Sequence, residues 1–420
     1  MPRQVPESRD SIFIAGHTAK FDAQGMLAPW TAWATALDRE MQFYQQCPSD
    51  RGYPRFAYIT FLDGEWTPDP GRTDTIPATQ SGMGILSYLK YYELVGAKDA
   101  AYLKTACSMG DYLVKEALTP ASGKYPRFTR STGTRAGFPL PADCGSQSDR
   151  PFEIQPDKGG IAGYALVRLF EAAADPAYLA QGLHNARVLA VNQQQGDASR
   201  SPWPFRADYR SGEPRGPVSG NMTYILRLYD LLLARGYEEF AGPRQSLWQW
   251  IKRHQIPSAA ADGGLFAQFF EDHDTPTNRT AWAPLNLARY LLESKALLDP
   301  EWRADSGTLI DFVRRHFTHS EFGVTVCHEQ DEDQQAWGGV NSTYGAVLAL
   351  YAHATDERGL AAEARAALNF TLYSIDERGR PRDLFKNPAP GGWQEDAHTD
   401  VIHNYADTLR LFPEWGSQVG

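Results

Sequence analysis

The chain has 420 residues, 22% of them charged and 42% apolar, which is the balance of a globular protein and unlike that of a disordered one. A formal net charge of −10 argues against a nucleic-acid partner, which needs lysines and arginines gathered over a large face. No apolar run approaches the ~18 residues of a membrane-spanning helix. The cysteines Cys47, Cys107, Cys144 and Cys327 lie far apart, without a C-x-x-C pair, so neither a zinc ribbon nor a disulfide framework is expected.

Residues 1–26 read as a polar N-terminal extension. Met1–Lys20 carries acids and prolines and lacks the apolar centre of a signal peptide, so a cytoplasmic protein is expected. From Leu27 onward two kinds of helix-like segment alternate. The first kind comprises Leu27–Gln46, Lys98–Ala117, Ala177–Gln195, Tyr237–Gln255, Pro300–Phe317 and Arg358–Ile375. The second comprises Gly84–Leu94, Gly160–Phe170, Gly220–Tyr229, Ala281–Leu291, Val340–Tyr351 and Val401–Phe412. Anchored on Tyr164, Tyr224, Pro284, Tyr344 and Tyr405, the second kind recurs at steps of 60, 60, 60 and 61; Tyr88 precedes Tyr164 by 76, which leaves room for a longer loop. A fixed period means one supersecondary unit repeated, each copy unable to bury its apolar face alone. The unit is a helical hairpin, and six hairpins can close into a ring.

The periodic segments are apolar nearly all round, as in Ile85, Leu86, Tyr88, Leu89 and Tyr92, and belong inside. The alternate set carries polar stripes, such as Arg358, Arg365 and Asn369, and belongs outside. Gly84, Gly160 and Gly220 each lie four residues before a repeat tyrosine; close backbone approach and a simple helix start both fit them. Connections leaving an inner helix are short. Those returning to the next one are long: Pro48–Pro77, Thr119–Pro156, Asp197–Ser219, Pro257–Thr277, Thr318–Trp337 and Glu377–Ala397, with small hairpins expected at Phe56–Leu62 and Gly323–Cys327. All six long loops therefore fall at one end, the mouth, where a site is expected.

Six hairpins with long loops at the inner-helix N-termini resemble the six-hairpin toroids of carbohydrate enzymes, among them unsaturated glucuronyl hydrolases, sugar 2-epimerases and uronate lyases. The resemblance is architectural and runs from Leu27 to Phe412; the histidine pattern of the epimerases is not evident. It implies an all-α (α/α)6 toroid, one domain over residues 1–420, and an oligosaccharide substrate.

The loops carry three sets of candidate residues. An aromatic-Pro element with an arginine recurs at Tyr53–Phe56, Tyr125–Phe128 and Trp203–Arg206. Arg55, Arg127 and Arg206 suit bidentate pairing with a sugar carboxylate, or with loop acids. The loop carboxylates form the second set: Asp63, Glu65, Glu153, Asp157, Asp208, Glu271, Asp272, Asp274, Glu329, Asp331, Glu332, Asp333, Glu395 and Asp396. Glycoside hydrolysis needs two of these across the scissile bond. The third set leads into the last inner helix, where Asp396, Asp400, His403 and Asp407 share one face. Acids on a core helix need a polar cavity or a partner.

These sets give an acid/base glycoside hydrolase acting on a uronic-acid-containing oligosaccharide. The expected catalytic residues are Asp396, Asp400, His403, Glu329 and Asp331. Arg55, Arg127, Arg206, Trp203, Asn221, Arg279, Trp337, Asn341, Trp393 and His398 are expected to bind substrate, with no metal or cofactor. Three alternatives remain open: a uronate lyase with a Tyr or His base, a terpene cyclase-like toroid holding a diphosphate and magnesium on Glu271–Asp274 and Asp331–Asp333, and a non-catalytic glycan-binding protein.

Overall fold

The computed structural model describes residues 13–14, 17–47, 52, 76–131, 149–150, 152–271, 275–294, 299–381 and 398–416. Within them, the inner helices are α2 (Pro77–Leu94), α4 (Pro156–Ala173), α6 (Thr223–Leu233), α9 (Trp282–Ser294), α11 (Gly338–Thr355) and α13 (His398–Leu411). Each packs against the next, and α13 returns to pack against α2, so the ring is closed. Tyr88, Tyr164, Tyr224, Tyr344 and Tyr405 lie on five of these helices and Pro284 on the sixth, as the period requires.

The outer layer holds α1 (Trp33–Gln46), α3 (Ala100–Lys115), α5 (Pro176–Asn192), α7 (Ala241–Trp250), α10 (Trp302–His316) and α12 (Arg358–Leu372). A π-helical turn, Ile251–Gln255, carries α7 into the short α8 (Ile256–Ala259). Five of the outer helices pack on the inner helix that precedes them; α1, the first helix among the described residues, packs on α13. The start of the chain thereby seals the end. Trp33 meets Tyr405 edge-on at 5.2 Å and Trp415 at 5.6 Å, and its indole N–H donates to Asn369 Oδ1 of α12 at 2.9 Å.

Several boundaries differ from expectation for local reasons. The first outer helix begins at Trp33, because Leu27–Ala28 is a strand (β4) paired with Lys20–Phe21 (β3). Pro29 disfavours helical backbone at the residue before it, and the Leu27 carbonyl is used by Asn369 Nδ2 at 2.9 Å. In the other direction, α2 and α4 start at Pro77 and Pro156, earlier than the apolar repeat suggests. A first-turn proline has its φ preset for the helix and needs no N–H partner there. Gly160 thus sits inside α4, and a Cβ on it would come within 2.6 Å of Ile225 Cγ1 and 3.1 Å of Ile225 N. Close approach is its role.

The small sheets lie in the long connections. Thr318–Glu321 and Val324–Cys327 form the antiparallel hairpin expected near Gly323, turning through Phe322 and Gly323 at φ 51° and 80°. Glu153–Ile154, Arg206–Asp208 and Pro214–Arg215 form a three-stranded sheet that ties the loop before α4 to the loop before α6. The hairpin expected at Phe56–Leu62 lies outside the described residues.

Candidate active site

At the mouth, the first turns of α2 and α4 meet the segment before α9. Thr79 donates its hydroxyl to Glu271. Lys158, fully buried, places its ammonium 3.6 Å from Asp157 and 3.6 Å from Glu271, donates to the Phe269 carbonyl at 2.6 Å and lies 4.0 Å from the centre of the Phe269 ring. The Asp157 carboxyl is fully buried and neither oxygen has a hydrogen-bond partner. Burial pushes its pKa up to about 6 against the pull of Lys158, with Glu271 adding to the rise. The Phe269 ring also runs parallel to Trp282 at 6.5 Å, and the Trp282 indole donates to Glu329 Oε2 at 3.3 Å while Gln330 donates to Oε1 at 2.9 Å. A continuous run of side chains thus links Glu329 to Thr79 across the inner-helix starts.

The polar stripe of α13 turns toward the interior of the ring and divides into two parts. Below, His403 Nε2 lies 3.3 Å from Asp407, Lys90 of α2 is hydrogen-bonded to Asp407, and Arg289 of α9 lies 3.8 Å from it and donates to Asn404. Burial alone raises Asp407, but His403, Lys90 and Arg289 outweigh it and hold the carboxyl well below its usual range. Burial keeps His403 neutral, down to about 4. One turn above, Asp400 is half-buried and, among the described residues, no side chain donates to it. Burial lifts its pKa to about 7, with Arg289 opposing. Asp400 is therefore a carboxyl able to give or take a proton near neutrality.

Other expected site residues are committed elsewhere. Arg127 is exposed, and its carbonyl accepts from Gln181 of outer helix α5, so it lies over the outer layer and away from the mouth. Arg206 does reach the mouth, yet it is buried and spent on Asp149 at 2.9 Å and the Glu271 carbonyl at 2.8 Å. Trp203 is fully buried and donates to the Leu189 carbonyl of α5, which makes it core and no sugar platform. Arg279 grips Asp331 through both fork nitrogens at 2.9 Å. Burial raises Asp331 and the Arg279 fork overrides it, leaving an ionised structural partner in place of a catalyst. Asn341 is buried and holds Cys327 N and O at 2.8 Å each, a structural clasp on the hairpin before α11. Trp337 caps α11 from a buried position and donates to Asp333 at 3.0 Å. His398 is buried against Glu40 of α1 with its Nε2 unpartnered. Asn221 stays a candidate: it is buried just before α6, and both its polar side-chain atoms lack partners. Arg55, Trp393 and Asp396 lie outside the described residues.

Lys158 and Thr79 were missed by sequence reasoning. A lysine in the first turn of a Gly-rich apolar helix was the available signal for Lys158; nothing marks Thr79. Among the described residues, the acids with metal-like spacing are Asp299, Glu301 and Asp305, and Lys252 donates to all three, so an ammonium already stands where a cation would. Of the acids in the diphosphate reading, Glu271 and Asp331 have protein partners and Asp333 accepts from the Trp337 indole, while Asp272 and Asp274 lie outside the described residues.

No family model matches the chain, and no curated protein matches it. Solved structures do. A cellobiose 2-epimerase from Spirochaeta thermophila DSM 6192 superposes with a TM-score of 0.65 at 16% identity, covering 91% of this chain and 96% of that one. The fold is the (α/α)6 toroid. A D-mannose isomerase superposes at 0.65 with 13% identity over 90% and 97% of the two chains. A family 76 glycoside hydrolase from a bovine Bacteroides thetaiotaomicron strain does so at 0.59 with 11% identity over 91% and 78%. At these identities the likeness is one of fold.

Proposed function

We propose that the chain is a carbohydrate-active enzyme, a glycoside hydrolase that cleaves an oligosaccharide by acid/base catalysis with Asp400 as the proton donor. The observation that carries this reading is the Asp400 carboxyl itself, which lies near Arg289 and Tyr224 of other inner helices, has no side-chain donor among the described residues and has a pKa raised to about 7 by burial. A general acid works best when its pKa lies near the operating pH. The second carboxylate in this reading is Glu329, whose two oxygens each accept an N–H, from Trp282 and Gln330, and are thereby oriented as a base. The catalogue of similar folds, an epimerase, an isomerase and a glycoside hydrolase, supports carbohydrate as the substrate class. Neither Arg127, exposed beside outer helix α5, nor Arg206, buried and paired with Asp149, is offered to a sugar carboxylate in this reading.

The test is a panel of neutral and uronate-containing oligosaccharides, read for new reducing ends and for absorbance in the unsaturated-uronate band. Hydrolysis predicts new reducing ends without new absorbance, and a loss of turnover of roughly 100-fold or more in Asp400→Asn. New absorbance would replace the hydrolase with a lyase. Isomerised sugar without new ends would place the chain with the epimerases.

A further inference from the structure

A partly open cavity of about 130 Å³ lies inside the ring on the His403 side of Asp400, with walls from α2, α4, α6, α9 and α13. It adjoins a more open hollow of about 370 Å³ that shares Lys90, Arg289 and Glu293 and extends to Leu350 and Arg410, near the C-terminal ends of α11 and α13. The smaller cavity has polar walls and room for several water-sized groups, so it is unsuited to apolar contents.

Its wall is rich in donors that the protein leaves unspent. Arg289 is 7% exposed, yet among the described residues its guanidinium makes one hydrogen bond, to Asn404, beside the 3.8 Å approach to Asp407. A buried guanidinium with five N–H donors is ordinarily far better satisfied. Arg227 spends one nitrogen on Glu293 at 2.6 Å. Among the described residues the Tyr224 hydroxyl and the Asn286 amide, both on the same wall, make no side-chain hydrogen bond. The charges lean the same way. Lys90, Arg168, Arg227 and Arg289 line the cavity against Glu93 and Glu293. Asp407 and Glu171 join this chain of ion pairs, as do Arg235 and Arg410, so positive groups outnumber negative ones by two, or by one when Asp400 is ionised. His403, held neutral by burial, adds nothing to either side.

We propose that this axial cavity binds one compact oxyanion, a phosphate, sulfate or small carboxylate, held by Arg289 with Arg227, Tyr224 and Asn286. The site goes beyond the hydrolase reading and needs no turnover to detect. An anion there would face Asp400 across Arg289, so the cavity is also placed to tune the carboxyl above it.

The experiment is calorimetric titration of the full chain with inorganic phosphate, sulfate and glucuronate at neutral pH and low ionic strength. Saturable binding of one equivalent is expected, weakened by about tenfold or more in Arg289→Met through loss of charge-assisted hydrogen bonds. Because Arg289→Met also removes a partner of Asp407, a second variant, Asn286→Trp, fills the space while keeping every charge, and it too should lose binding. Binding of phosphate or sulfate identifies a free ion as sufficient; binding of glucuronate alone identifies a carboxylate carried on a sugar. Absence of saturation by all three anions, or unchanged affinity in both variants, overturns the site. A negative oligosaccharide panel would leave this result untouched.

Discussion

At the scale of single residues, α13 separates two fates for an acid on an inner helix. Asp407 has cationic neighbours on two other helices and is held ionised, whereas Asp400, seven residues earlier on the same face, has none in hydrogen-bonding reach. That difference has a consequence for stability. Asp400 has a folded pKa near 7 against about 3.8 unfolded, so the folded state binds the proton more tightly. Between those two values the unfolded carboxyl is ionised while the folded one is still protonated, and stability falls as pH rises through that window. Asp400→Asn removes the effect. The variant should melt near the wild type at pH 4 and above it at pH 8, by roughly 1 to 3 kcal/mol after allowing for partial exposure. Thermal melts at the two pH values check this. A lower melting temperature at pH 8 would mean that the carboxylate is a structural partner and that the proton donor lies elsewhere.

At the scale of elements, helices meet, both within the inner ring and between the layers, at contacts where a side chain does not fit. α4 approaches α6 through Gly160, and α5 approaches α4 through Gly182, where a Cβ would stand 2.5 Å from Val167 Cγ2 and 3.0 Å from the Gly163 carbonyl. Overpacking of this kind costs about 1 to 3 kcal/mol. Gly160→Ala should lower stability by that amount in chemical denaturation, even though alanine is the better helix former by about 1 kcal/mol. An unchanged or raised midpoint would show that α4 and α6 can separate without cost. The helix starts have their own logic. Pro77, Pro156 and Pro176 open α2, α4 and α5, so the first turns that present Thr79, Asp157 and Lys158 to the mouth are fixed by backbone preference as well as by packing.

At the scale of the whole molecule, the toroid is closed by its first outer helix. α1 packs on α13 at the far end of the sequence, and Trp33 joins Tyr405, Trp415 and Asn369 in one buried cluster. The strands before α1 extend the seal: Trp30 donates to the Leu372 carbonyl at 2.9 Å and stacks on His17 at 4.2 Å, while Lys20 N donates to Tyr373 at 3.0 Å. Nearly all of these contacts join residues more than 300 positions apart, so they form only when both ends of the chain are in place. Trp33→Ala should cost about 3 to 5 kcal/mol. It should also make α1 the earliest target of limited proteolysis, whereas a cut first within α4 or α5 would contradict the seal.

The repeat of about 60 residues was enough to specify six inner helices, their outer partners, the order of short and long loops and the toroid itself, because each copy of the hairpin carries its own apolar pattern. The stripe Asp400, His403 and Asp407 was legible for the same reason, since helical spacing places residues on a face without reference to the rest of the chain. Partner choice was not legible. Arg206, Trp203, Arg279 and Asn341 have the residue types of a sugar site, but each found its partner within the protein, while Arg127 lies exposed beside outer helix α5. The loops that bring them together come from different repeats, and nothing local distinguishes an arginine that will meet an aspartate from one left for a ligand. Conversely, Lys90, Arg227 and Arg289 each sit singly in apolar helices and gain meaning only when the ring brings them around one cavity. Periodicity is a property of the chain, and it fixed the scaffold. Which charges meet around one cavity is a property of the closed ring, and only the tertiary structure decided it.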